Sequence, residues 1–186
     1  MLKLARPLVY NDRIFPICLP RQNAEIDEGV ECFVTGYGET KGTGGDGFLK
    51  DATVPVISSP RCGQMNAAIQ RELTSNMICA GFQEGGTDSC QGDSGGPLVC
   101  RSQSNSQQFI LQGVVSFGFG CASKNSPGIY AKTSSFVDWI TVTFRSNRRR
   151  LARSVKNKLD KKNAKKFLKG QQTKRSNPFA EHFFYS

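Results

Sequence analysis

An all-β fold, an antiparallel barrel or sandwich, is predicted by the way this 186-residue sequence is punctuated. From Glu31 to Thr133, short apolar segments enriched in β-branched residues are separated by clusters of Gly, Ser, Pro and Asn. The chain carries 19 glycines, and turns spaced this closely favour antiparallel pairing over a βαβ arrangement, which needs long crossovers.

The elements follow in order. Residues 1–20 hold one strand-like stretch and then Phe15-Pro16-Ile17-Cys18-Leu19-Pro20, whose two prolines suit an extended connector rather than the interior of an element. Strands are predicted at Cys32 to Thr35, Leu49 to Val56, Met77 to Ala80, Pro97 to Cys100, Phe109 to Phe117 and Gly128 to Lys132. Ser134-Ser135 followed by Phe136, Val137, Trp139, Ile140 and Phe144 fits an N-capped amphipathic helix that closes the domain, with Trp139 in the core. Three parts result: a connector over 1–20, a β domain with its closing helix over 21–144, and a tail over 145–186.

Charge separates the tail from the rest. Residues 1–144 hold 11 Lys and Arg against 13 Asp and Glu, whereas residues 145–186 hold 14 against 2. The high isoelectric point therefore belongs to the appendage and says little about the partner of the domain. A segment so poor in apolar residues cannot bury enough surface to offset ordering entropy, so disorder is expected after Arg145. Leu151, Val155 and Leu159 recur at four-residue spacing, which would suit a basic helix formed on a partner.

Cys18, Cys32, Cys62, Cys79, Cys90, Cys100 and Cys121 all precede the tail, and none forms a CxxC pair of the kind that binds zinc. Disulfides and an oxidising, extracellular location are the expectation, and the odd count leaves one sulfur for a partner elsewhere. No charged-then-apolar leader opens the chain and no apolar run approaches the roughly 20 residues of a membrane span. Secretion would thus be encoded outside this sequence, and Met1 is expected not to be the start of the working protein.

The segment richest in chemistry is Asp88-Ser89-Cys90-Gln91-Gly92-Asp93-Ser94-Gly95-Gly96-Pro97-Leu98-Val99. A serine hydroxyl is a weak nucleophile that needs a base for its proton and donors aimed at the oxygen that becomes negative when a carbonyl is attacked. Glycines around Ser94 allow a tight turn in which the amides of Gly92 and Ser94 converge on that oxygen.

This segment resembles the nucleophile loop of the chymotrypsin and trypsin family of serine proteases. The likeness extends in order through Leu2-Lys3-Leu4, Phe15-Pro16-Ile17-Cys18-Leu19-Pro20, Cys32-Phe33-Val34-Thr35-Gly36-Tyr37-Gly38, Met77-Ile78-Cys79-Ala80-Gly81 and Pro127-Gly128-Ile129-Tyr130, covering residues 1 to about 144. The resemblance implies the second antiparallel β-barrel of a two-barrel fold with a C-terminal helix. It implies Ser94 as nucleophile, Gly92 and Ser94 as oxyanion donors, and Asp93 as the acceptor of a new N-terminal ammonium after zymogen cleavage. Asp88 would form the floor of a pocket for Arg or Lys. Gly118 and Gly128 would stand at its walls, where side chains would block a long basic residue, Ser116-Phe117-Gly118 would be the strand that hydrogen-bonds the substrate backbone, and Ser89 and Gln91 would also bind substrate. Implied disulfides are Cys32 with Cys100, Cys62 with Cys79 and Cys90 with Cys121, and Cys18 would tie the domain to an upstream pro-segment or heavy chain. Neither metal nor organic cofactor is called for.

Departures from the family pattern bear on activity. The first barrel, with its catalytic histidine and aspartate, would precede Leu2-Lys3-Leu4, and the one histidine here, His182, lies in the tail on the wrong side of Ser94. The expectation is a fragment of a longer secreted zymogen, inert by itself. A competing reading is an inert protease-like binding module whose basic tail holds polyanions. Gly92-x-Ser94-x-Gly96 also fits a nucleophile elbow with Asp138 and His182 downstream, but Pro97-Leu98-Val99-Cys100 reads as a strand where that elbow needs a helix.

Overall fold

A computed structural model describes residues 1–40, 45, 47–66, 73–105, 107–147, 153 and 156–162. The chain divides into two compact units, Met1–Ile140 and Thr141–Ser186.

In the first unit six strands form a closed antiparallel barrel: β1 (Glu31–Gly36), β2 (Lys50–Ile57), β3 (Met77–Ala80), β4 (Pro97–Arg101), β5 (Phe109–Phe117) and β6 (Gly128–Lys132). The order around it is β1-β2-β3-β6-β5-β4, and β4 returns to β1. Each predicted strand is present, within a residue or two at its ends. Alternation places Cys32, Val34, Val54, Val56, Ile78, Leu98, Cys100, Val115 and Tyr130 in one buried cluster, which is the barrel interior. A second cluster of Ile57, Cys62, Cys79 and Ile129 lies apart from it, with Phe117 packed against it.

Three disulfides hold the barrel: Cys32–Cys100, Cys62–Cys79 and Cys90–Cys121. Cys32 and Cys100 face each other across β1 and β4. Cys62–Cys79 ties β3 to a short helix, α1 (Ser59–Met65), that the sequence did not announce. Its seven residues include Gly63, and Ser58 at the cap position makes no cap hydrogen bond, so only that serine and a proline in the first turn mark its start.

Residues 1–20 depart from expectation in one respect: they hold no strand, only an isolated bridge between Asn11 and Ile14 and another that lays Cys18 beside Ile110 of β5. The amide of Leu111 donates to the Cys18 carbonyl at 2.9 Å, which fixes the connector against the barrel. Leu2, Leu4, Val9 and Phe15 are exposed.

After β6 the chain enters a 3-10 turn at Thr133–Phe136, and residues 137–140 are helical. Ser134 does not act as the expected cap: its side chain is buried without a hydrogen-bond partner among the described residues, and Gln22 Oε1 accepts the Asp138 amide at 2.8 Å instead. Trp139 is 57% exposed and so is not the core residue that the apolar periodicity implied. In the second unit residues 141–147, 153 and 156–162 are helical. Lys, which supplies four of the seven residues of the last stretch, is a good helix former even where little is buried. Leu151 and Val155 lie outside the described residues, as does His182.

Candidate active site

The connection between β3 and β4 holds the serine. Two successive turns shape it: Asp93 N–H donates to the Cys90 carbonyl at 3.0 Å, and Gly96 N–H to the Asp93 carbonyl at 2.8 Å. Gly92 and Gly95 occupy the third position of these turns with φ of 92° and 84°, the left-handed region that a side chain disfavours. Ser94 precedes Gly95 and is exposed. Among the described residues neither the Gly92 nor the Ser94 amide has an acceptor, so both are available to a bound oxygen.

Asp93 fixes this loop from behind. Its Oδ1 accepts the Gly38 amide and its Oδ2 the Cys90 amide, both at 2.9 Å, so one carboxylate joins the serine loop to the end of β1. A Cβ on Gly38 would come within 2.6 Å of Asp93 Cγ, which accounts for glycine there.

Beside the loop lies a cavity of about 270 Å³. Asp88, Ser89, Gln91 and Ser94 line it from one connection, and Ser116, Phe117, Gly118 and Gly128 from β5, β6 and the segment between them. Eight of the residues given a catalytic or substrate-binding role therefore converge on one space, together with Cys90 and Cys121, while Gly92 and Asp93 sit outside its lining. A register shift between Val115 and Phe117 leaves Ser116 without a partner on β6, the kind of bulge that re-aims a residue beside a site.

Asp88 is half-buried in this cavity. Its Oδ1 accepts the Ser89 amide at 2.8 Å and its Oδ2 the Ala122 amide at 3.2 Å. Burial raises the carboxyl above the ordinary aspartate range and the Asp93 charge adds to this, while the two amides pull the other way. A half-buried carboxylate with two amide donors, beside which the described lining residues carry no cationic side chain, favours a positive group. Tyr130, fully buried, brings its hydroxyl within 3.4 Å of Ser89 Oγ, and burial pushes the phenol up to about 12, so it stays neutral. Gly128 is required by close approach: a Cβ there would lie 2.7 Å from Asp88 Oδ1 and 3.0 Å from Tyr130 Oη.

Sequence reasoning missed Gly120, which lines the cavity, and Ala122, which holds Asp88. A backbone amide leaves no trace in residue identity, so Ala122 had no signal to read. Among the described residues no cluster of His, Cys, Asp and Glu could hold a metal ion, and no helix is long and apolar enough to cross a membrane.

An antiparallel barrel presenting an exposed serine between two free amides, with an anionic cavity alongside, has the build of a serine peptidase domain. The family model described as Trypsin matches residues 1–140, and the chain belongs to that family. Three disulfides fit the extracellular setting typical of such domains.

Proposed function

We propose that this chain carries the nucleophile and the primary specificity pocket of a secreted endopeptidase that cleaves after Arg or Lys. The observation that carries the reading is Asp88: a half-buried carboxylate in a cavity shared with Ser94, with no cationic group lining it. A substrate guanidinium or ammonium would supply the missing charge, and the scissile carbonyl would then lie near Ser94.

Ser94 Oγ attacks that carbonyl as a base takes its proton; the amides of Gly92 and Ser94 donate to the resulting oxyanion, and the peptide amine leaves with a proton returned by the base. Water then hydrolyses the acyl-enzyme by the reverse use of the same groups. No histidine is present among the described residues, so a histidine base would be supplied from outside them. Lacking that base, turnover falls by about 10⁴ to 10⁶. Asp93, already joined to two amides, has lone pairs left for an ammonium created by zymogen cleavage. Cys18, the cysteine outside the three disulfides, suits a link to an upstream pro-segment or heavy chain.

Binding tests this without requiring turnover. Benzamidine, a planar aryl cation, should bind the full chain, and Asp88→Asn should weaken it by about 10- to 150-fold, the worth of a hydrogen bond to a charged group. Equal affinity of parent and variant would refute the assignment of Asp88.

A further inference from the structure

We propose that Gly85 is a positioning residue for the cavity: its bare α-carbon lets Ala122 take the left-handed conformation in which the Ala122 amide reaches Asp88. The inference rests on the reading of the cavity as a cation pocket and adds a determinant that does not line it.

Ala122 has φ of 51°, a conformation that residues with a Cβ adopt only when their surroundings enforce it. The enforcement comes from a neighbouring loop. Gly86 N–H donates to the Ala122 carbonyl at 2.9 Å, and Asn125 N–H to the Gln83 carbonyl at 2.8 Å, so residues 83–86 and 122–125 clasp each other through their backbones. Lys124 and Glu84 add an exposed ion pair at 2.8 Å, and Cys121 is tied to Cys90 immediately before Ala122. The clasp closes only because Gly85 lacks a side chain. A Cβ there would overlap the Ala122 carbonyl oxygen and lie 2.8 Å from the Ser123 carbonyl carbon. Both are backbone atoms, so relief requires the peptide that follows Ala122 to move. Moving it turns the Ala122 amide off Asp88 Oδ2, leaving the Ser89 amide as the carboxylate's remaining donor.

The charged and titratable groups around Asp88 are Asp93 on the same loop, Tyr130 of β6 and, on the clasp itself, the Glu84–Lys124 pair. None of them changes its ionisable group when a methyl is added at position 85, and the Glu84–Lys124 pair is exposed. The Ala122 amide favours the ionised carboxylate, so its loss moves the acid limb of cation binding to higher pH.

Gly86 provides the comparison. Its φ is 95° against 75° at Gly85, so an alanine at either position is strained, yet a Cβ on Gly86 meets nothing within 4 Å. The test is benzamidine affinity against pH for the full chain, Gly85→Ala and Gly86→Ala. Gly85→Ala should lose about ten-fold at neutral pH, the low end for a lost hydrogen bond to a charged group, and its acid limb should move up. Gly86→Ala shares the backbone strain without the overlap on the Ala122 peptide, so it should lose clearly less affinity than Gly85→Ala and keep its acid limb in place. Equal losses in the two variants, or none in Gly85→Ala, would overturn the inference while leaving the cation pocket standing. Failure of the unmutated chain to bind benzamidine would remove the pocket itself. Should Gly85→Ala not fold, the Ala122 amide resonance of the unmutated chain decides: it should titrate with the same midpoint as benzamidine binding, and a resonance unmoved across the acid limb refutes the contact.

Discussion

Two glycines that line the same cavity should respond to the same methyl group in opposite ways. At Gly128 the added Cβ lies 2.7 Å from Asp88 Oδ1 and 3.0 Å from both Cε2 and Oη of Tyr130. Neither neighbour can retreat, since Asp88 is held by two amides and Tyr130 lies inside the barrel. Overpacking of this kind costs about 1–3 kcal/mol, against which the reduced entropy of the unfolded chain returns about 0.5–1 kcal/mol. The net loss of about 1–2 kcal/mol corresponds to a fall in melting temperature of about 3–8 °C for a domain of this size. At Gly118 the added Cβ would meet only the Gly120 carbonyl oxygen at 3.5 Å and Gly128 Cα at 4.0 Å, ordinary contacts. Gly118→Ala should therefore melt within about 0.5 kcal/mol of the parent, while its methyl group occupies cavity space and weakens benzamidine. Differential scanning fluorimetry with a calorimetric titration of each variant would decide. A Gly128→Ala protein as stable as the parent, or a Gly118→Ala protein equally damaged, would refute the packing argument.

Three further outcomes follow from the geometry. Because burial raises the Asp88 carboxyl in the fold, the stability it contributes is present below its unfolded pKa and is lost as pH rises through the higher folded value; in urea titrations Asp88→Asn should gain on the parent across that window, and a parent that gains instead would contradict the sign. Replacing both Cys90 and Cys121 by serine opens a link between residues 31 apart and should cost about 3.5 kcal/mol together with benzamidine binding, because both sulfurs belong to cavity-lining residues; retained binding would show that the cavity holds its shape without the bond. Asp93→Ala strands the Gly38 and Cys90 amides at about 1–3 kcal/mol each, and faster hydrogen exchange at those two positions is the signature to look for.

The strands were legible because each is short, apolar and bracketed by turn residues, so the punctuation of the chain specified their extent, while their facing emerged only from the barrel. Helices fared worse for identifiable reasons. Residues 59–65 are helical through the Cys62–Cys79 bond and a proline in the first turn, against a composition that promises little. Apolar periodicity at Phe136, Trp139 and Ile140 led to a buried Trp139, but a period reports only that a face is apolar and cannot say whether anything covers it. Side chains at the site were readable through the family resemblance, as Asp88, Ser94, Gly118 and Gly128 illustrate by meeting in one cavity. What held them was less so: the Ala122 amide, the Gly38 amide and the Ser116 bulge are backbone features, determined by long-range pairing.

Strand β6 has a bearing on how such a domain can drift. Gly128 and Tyr130 project toward the cavity and the barrel interior, Ile129 toward the second cluster, and all three are buried. Most strands have a solvent face that absorbs neutral change, but these three consecutive positions have none. Selectivity could therefore be remodelled through the exposed positions 91 and 116 far more freely than along residues 128–130, where a change of preference and a loss of foldedness would arrive together.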